Sequence, residues 1–227
     1  NTSLKEFMAT YKEIHGVNVQ YRDSDATAIE GDVWYNSSTG KLKMYSGLGA
    51  WASGGNLLDT VTDLTGVGTQ TAALGFSGYI NPPAGTSGET TSYNGSSWSE
   101  LADMNTVRYG AAAAGTTNTA ALCIAGFNDP DSTYDLNEEW NGTGWTESDD
   151  INTARLRVSG TGTTTAAIIA GGTLPGPTVA FDETETYNGS TWTEVADLTT
   201  IRYQGAMVGT QTAALFFGGK GPGVHAL

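Results

Sequence analysis

The chain has 227 residues with 24 acidic against 10 basic side chains, a formal net charge of −14 and a pI near 4.2. An acidic surface repels phosphate backbones and anionic lipid heads, which argues against nucleic acid as a partner. No stretch approaches the roughly 20 apolar residues of a spanning helix, so membrane insertion is not expected, and no basic segment followed by an apolar run suggests a secretory leader. The 31 glycines against 6 prolines, with abundant Thr, Ser and Asn, suit many short strands and tight turns, so an all-β chain is expected. The single cysteine, Cys123, excludes an internal disulfide framework and sits in an apolar run, Ala120 to Ala125, that predicts a small buried side chain.

At the amino end, Ser3-Leu4-Lys5-Glu6 has the capping-box pattern, and Leu4, Phe7, Met8, Tyr11 and Ile14 follow helical spacing up to Gly16. A lone short helix of this kind needs a partner for its apolar face, either the rest of its own chain or another protein. Phe7 and Tyr11 are the candidate docking side chains. Next, Gly31-Asp32-Val33-Trp34-Tyr35-Asn36 and Gly40-Lys41-Leu42-Lys43-Met44-Tyr45 flank a Ser-Ser-Thr turn with alternating apolar residues, a β-hairpin whose Trp34 and Tyr35 are further docking candidates. Residues 1–58 are therefore expected to form an attachment module of helix plus hairpin.

From residue 59 to 227 the chain repeats itself with a step of 47 residues. Trp98, Trp145 and Trp192 keep this step, as do Arg108, Arg155 and Arg202, and the aromatics Tyr93, Trp140 and Tyr187 that precede each Asn-Gly. The run Gly68 to Leu74 returns unchanged at Gly209 to Leu215. Each unit reads as four strands: one beginning near the Arg, an apolar second strand ending in glycine, a third ending in the aromatic, and a fourth carrying the Trp after an Asn-Gly hairpin turn. That predicts three full units and a half unit. Trp51 lies one step before Trp98, so the amino-terminal hairpin is a candidate donor of the two missing strands; continuation into further repeats is the alternative. The repeated Arg is expected either to pair with an acid such as Glu138 or Glu185, or to ring an anion site.

Four strands and a glycine pair in a unit of this length resemble the kelch repeat, a blade of a β-propeller. The Gly-Gly pairs, Tyr93/Trp140/Tyr187 and Trp98/Trp145/Trp192 carry the likeness, although the pair is complete only in Gly171-Gly172 and Gly218-Gly219. The Tyr-Asn-Gly-Ser-x-Trp and Asn-Thr-x-Arg motifs are similar to repeats of marine bacteriophage structural proteins. The segment from Gly31 to Trp51 resembles a Gly-Asp-x-Trp-Tyr-Asn-x-x-x-Gly-Lys-Leu-x-x-Tyr hairpin of tail-fibre and other virion proteins. These resemblances imply a kelch-like propeller in a phage particle, located at the virion surface as a tail-fibre or other exposed component. The amino-terminal module would contact other virion proteins. A homo-oligomer is expected, though neither a heptad array nor a collagen-like stretch marks one.

Loops placed by a rigid scaffold are where binding resides. The variable loops run from Tyr79 to Gly88, Phe127 to Leu136 and Thr173 to Glu183, and their Tyr79, Phe127, Tyr134 and Phe181 are candidates to stack on host-surface glycans. Decoration of the capsid head without a receptor role is the alternative. An enzyme is not expected: His15 and His225 stand at opposite ends, no Ser-His-Asp set or phosphate loop occurs, and no cofactor motif is present. A calcium loop beginning at Asp129 fails where Tyr134 replaces glycine and Trp140 replaces glutamate. A glycan-active enzyme would need paired carboxylates that the sequence does not single out.

Overall fold

The computed structural model describes residues 19–24, 33–44, 54–81, 85–128, 130, 132–176 and 179–221. All regular structure among them is β, with no helix. The expected helix with Phe7 and Tyr11, and the expectation that Tyr45 and Trp51 complete the last unit, lie outside the described residues. Contacts divide the chain into residues 1–53 and 54–227.

In the first unit, β1 (Val19–Arg22) runs parallel to β2 (Val33–Asn36), which pairs antiparallel with β3 (Lys41–Met44). The Ser-Ser-Thr-Gly turn closes the hairpin because the Asn36 Oδ1 accepts the Thr39 amide at 2.9 Å and Gly40 takes φ +66°. The parallel strand β1 has no signature in the sequence. Arg22 lies over the Trp34 ring at 5.5 Å, and Tyr21 stacks on Tyr35 at 5.6 Å. Trp34 is only 5 % exposed, which corrects its expected role as a docking side chain; the exposed large hydrophobic residues here are Tyr21 and Leu42, with Tyr35 half-buried.

In the second unit, β4 (Val61–Thr62), β5 (Thr65–Thr69), β6 (Ala72–Phe76), β7 (Tyr79–Ile80), β8 (Gly85–Thr86), β9 (Thr90–Tyr93) and β10 (Trp98–Glu100) make two sheets, ordered β5-β6-β9-β10 and β4-β7-β8. Two more four-stranded meanders follow. The first is β11 (Ala112–Thr117), β12 (Ala120–Asn128), β13 (Ser132–Trp140) and β14 (Trp145–Ser148); the next is β15 (Ser159–Thr163), β16 (Ala166–Ala170), β17 (Thr184–Tyr187) and β18 (Trp192–Glu194). A two-stranded sheet, β19 (Tyr203–Thr210) with β20 (Ala213–Lys220), ends the series. The second strand β12 is apolar because it is sandwiched on both faces, buried from Ala121 to Phe127. The first strands lie side by side, β5 against β11, β11 against β15 and β15 against β19. Hydroxyls tie them across, Thr65 to the Ala111 carbonyl at 3.1 Å and Ser159 to the Gly205 carbonyl at 2.9 Å.

The cores sit between successive sheets. Phe76 and Leu74 of the first meander meet Trp140, Trp145 and Cys123 of the second. Leu122 and Ile124 of the second meet Ile169, Tyr187 and Trp192 of the third. The Asn-Gly turns are held from within: Asn94, Asn141 and Asn188 each accept two backbone amides on Oδ1, from Ser96 and Ser97, Thr143 and Gly144, Ser190 and Thr191.

The incomplete glycine pair has a geometric reason. The first position holds φ between +63° and +71° as Ser77, Ala125, Gly171 or Gly218, a left-handed conformation that a non-glycine residue enters at modest cost. The second is always glycine, Gly78, Gly126, Gly172 or Gly219, with φ from +87° to +124°. A Cβ on Gly172 would lie 3.0 Å from Val158 Cγ2, 3.1 Å from Arg155 Cδ and 3.2 Å from the Leu156 carbonyl oxygen. Gly172→Ala is therefore expected to destabilise the protein by about 2–4 kcal/mol, from backbone strain plus overpacking. Urea denaturation measures it, and a loss under about 0.5 kcal/mol, the range of inert surface changes, would refute the requirement for glycine.

Candidate functional site

Each repeated Arg sits where the chain enters a new unit and joins it to the unit before. The amides of Arg108, Arg155 and Arg202 donate to the carbonyls of Ser87, Tyr134 and Phe181, and their own carbonyls accept the amides of Gly78, Gly126 and Gly172. Both ends of every variable loop are thus pinned to the following unit. By repeat equivalence the three loops emerge at the same end of their sheets.

The side chains of two of these arginines are wholly buried. Arg108 Nη1 lies 2.7 Å from Glu138 Oε1, and Nη2 donates to the Cys123 carbonyl at 3.1 Å. The Asn-Thr-x-Arg motif completes the cage: Asn105 donates both its amide and Nδ2 to Glu138 Oε2, and the Thr106 amide donates to Oε1. In the next unit Asn152 bonds Glu185 Oε2 in the same two ways, and Arg155 Nη2 stands 3.0 Å from Glu185 Oε1 without hydrogen-bond alignment. Burial pulls the Arg155 pKa below the usual value, against the pull of Glu185. Burial likewise raises the Cys123 thiol, which keeps this enclosed side chain protonated and unreactive. Arg108 and Arg155 are consumed by their glutamates, so the expected alternative of an anion ring does not describe them. The first repeat replaces both members: Val61 lies under Gly78 as Arg108 lies under Gly126, and Thr91 stands at the glutamate position.

The loop aromatics divide. Tyr79, Tyr109 and Phe127 form a row, with edge-on ring contacts at 5.6 and 5.5 Å. Tyr109 and Phe127 also exchange two backbone hydrogen bonds of 2.9 Å. Phe127, the buried end of the row, is 5 % exposed, so it is corrected from ligand candidate to support. Tyr79, Tyr134 and Phe181 are half-buried, each with part of its surface open. Tyr109 joins them; it reads as part of a first strand, and only its bridge to Phe127 places it beside Tyr79.

On the first meander, partial burial and the neighbouring Asp59, Asp103 and Glu100 hold the Glu89 carboxyl above the usual range. At neutral pH the charged form is therefore the strained one in the folded state. Glu89→Gln is expected to raise the melting temperature at pH 7, with the gain vanishing as acid protonates Glu89; an equal gain at pH 7 and below pH 4 would exclude an electrostatic origin. Glu100, Glu147 and Glu194 are exposed, and among the described residues no group of three or more His, Cys, Asp or Glu side chains is placed to hold a metal ion. Asp129 and Asp131 of the calcium-like loop lie outside the described residues.

No family model matches the chain, and no curated protein matches it. Among solved structures, that of YjhT superposes with a TM-score of 0.64 at 13 % identity, over 85 % of this chain and 69 % of that one. At this identity the likeness is one of fold: the protein is an all-β chain with many antiparallel sheets.

Proposed function

We propose that the sheets are kelch-like blades of a β-propeller, and that the protein is a structural component of a bacteriophage virion surface that presents its loop end to host glycans. The reading rests on the segment from Gly31 to Trp51, whose residues resemble the virion-protein hairpin and whose central part folds as β2 and β3 around an Asn36-held turn. The repeat motifs of the second unit support it. So does the pinning of each loop at both ends, since rigid loops lose little entropy on binding. Tyr79, Tyr109, Tyr134 and Phe181 supply the open aromatic surface that sugar rings stack on, and the role is one of binding rather than catalysis. The amino-terminal unit is the joint to other virion proteins, and the protein acts as a homo-oligomer.

Immunogold labelling of purified particles with antibody to this chain tests the assignment. Label at a tail tip or fibre end is the expected result; label over the head would make the protein a decoration component without a receptor role; absence from particles would remove the virion reading. With label at the tail, Tyr79→Ala and Tyr134→Ala together are expected to reduce adsorption to host cells about tenfold or more, the loss of one or two stacking contacts. Unchanged adsorption would remove the loop end as the receptor site.

A further inference from the structure

We infer that the edge of β20 opposite β19, unpaired among the described residues, is a docking site for a further β-strand of the repeat's own third-strand type, and that Arg202 recognises a glutamate carried on that strand. In the complete units every second strand is paired on both sides: β6 by β5 and β9, β12 by β11 and β13, β16 by β15 and β17. Among the described residues β20 is paired by β19 alone. Its amides and carbonyls along one edge are an open template for strand addition. The apolar side chains of this last sheet stand out, with Val208 at 52 %, Leu215 at 62 % and Phe217 at 47 % exposure, whereas Ala170, the counterpart of Phe217, is buried.

The seven residues Gly209 to Leu215 are identical to Gly68 to Leu74, and there the same second-strand sequence already accepts a third strand, β9, with Tyr93 opposite Ala73. In the third meander Tyr187 lies opposite Ala167 and Glu185 opposite Ile169. One repeat step further on, these positions are Ala214 and Phe216. The incoming strand is thereby specified: antiparallel to β20, aromatic opposite Ala214, and glutamate two residues earlier, opposite Phe216.

The charge pattern selects this occupant. Arg202 keeps both backbone bonds of its counterparts, to Phe181 and Gly172. Its guanidinium, however, donates to the Gly218 carbonyl at 3.1 Å and lies 5.7 Å from the Phe216 ring, and no carboxylate of the described residues forms an ion pair with it. The counterparts Arg108 and Arg155 each meet a glutamate 30 residues further along, on the third strand. A second copy of β20 brings no acid and adds Lys220, and β3 brings Lys41 and Lys43. Neither brings a carboxylate to the half-buried Arg202. A strand such as Thr184-Glu185-Thr186-Tyr187 does, and against a chain of net charge −14 its acid is attracted by this site rather than by the surface at large.

The test adds a labelled synthetic peptide copying residues 182–194 to the full chain and follows fluorescence anisotropy together with amide hydrogen exchange. The expected result is saturable binding with protection of the β20 amides, a peptide carrying Glu185→Gln binding at least about tenfold more weakly, and an Arg202→Gln protein that no longer distinguishes the two peptides. Equal binding of both peptides by the unaltered protein, or protection elsewhere than β20, overturns the proposal. So does failure of the peptide to bind. Protection of β20 without peptide that grows with protein concentration assigns the edge to a second copy and also overturns it.

Discussion

Glu138→Ala is expected to destabilise the protein by about 3–5 kcal/mol, because it strands the buried Arg108 charge without a counter-ion. The carboxylate accepts four hydrogen bonds, from Asn105 twice, from Thr106 and from Arg108, and all four are lost together; Asn105 Nδ2 and Arg108 Nη1 keep only the Trp145 and Thr106 carbonyls. Removing one partner of a buried pair costs far more than the pair itself contributes, since the pair has already lost its hydration. The first repeat supplies the control within the same molecule. There Val61 and Thr91 stand in place of Arg and Glu. The double variant Arg108→Val/Glu138→Thr is accordingly expected to recover at least half of the loss, with a coupling free energy of about 2 kcal/mol or more in a double-mutant cycle. Chemical denaturation of the four proteins measures it. Additive losses would mean that Arg108 and Glu138 act as separate packing elements, and the cage described above would then be wrong.

Trp145→Ala is the second large effect, an expected loss of about 3–5 kcal/mol. The indole is wedged between the first and second meanders: its ring meets Phe76 edge-on at 4.8 Å, and its Nε1 donates to Thr90 Oγ1 at 2.8 Å. Truncation leaves a cavity in the core and a Thr90 hydroxyl without its donor. Trp98 occupies the same repeat position but is half-buried, touching Tyr93 of its own sheet at 5.1 Å, so Trp98→Ala is expected to cost clearly less. Melting of both variants beside the parent protein decides it. Equal losses would show that the tryptophans stabilise their own sheets and not the joints between sheets.

The all-β class was legible in the sequence because its determinants are local and recur. The step of 47 residues shared by Trp, Arg and Asn-Gly located three four-stranded units and a half unit, since a strand's apolar character and a hairpin's turn residues are properties of a few neighbouring positions. Repetition also separated scaffold from site: a residue present in every unit answers a packing need that every unit has. The glycine pair was only half understood from the sequence. Residues 77 and 125 looked like defects, yet the demand for glycine falls on the second position alone, and Cβ contacts from residues more than ten positions away impose it.

What the tertiary structure decided was which residues of different units face one another. Asp63, Gly110, Arg157 and Gln204 occupy one repeat position and all take φ between +52° and +65°, though one of the four is glycine. The position is held by bonds between units, Arg157 amide to Gly110 carbonyl and Gln204 amide to Arg157 carbonyl, and no local pattern encodes them. The same holds for the aromatics. Composition marks Phe127 and Trp34 as capable of binding, and the structure buries both, while Tyr109 reaches the loop end by pairing with Phe127. Strand and turn are set by short-range sterics and hydrogen bonding, which the sequence carries; exposure is set by what the neighbouring unit places opposite, which exists only once the chain has folded.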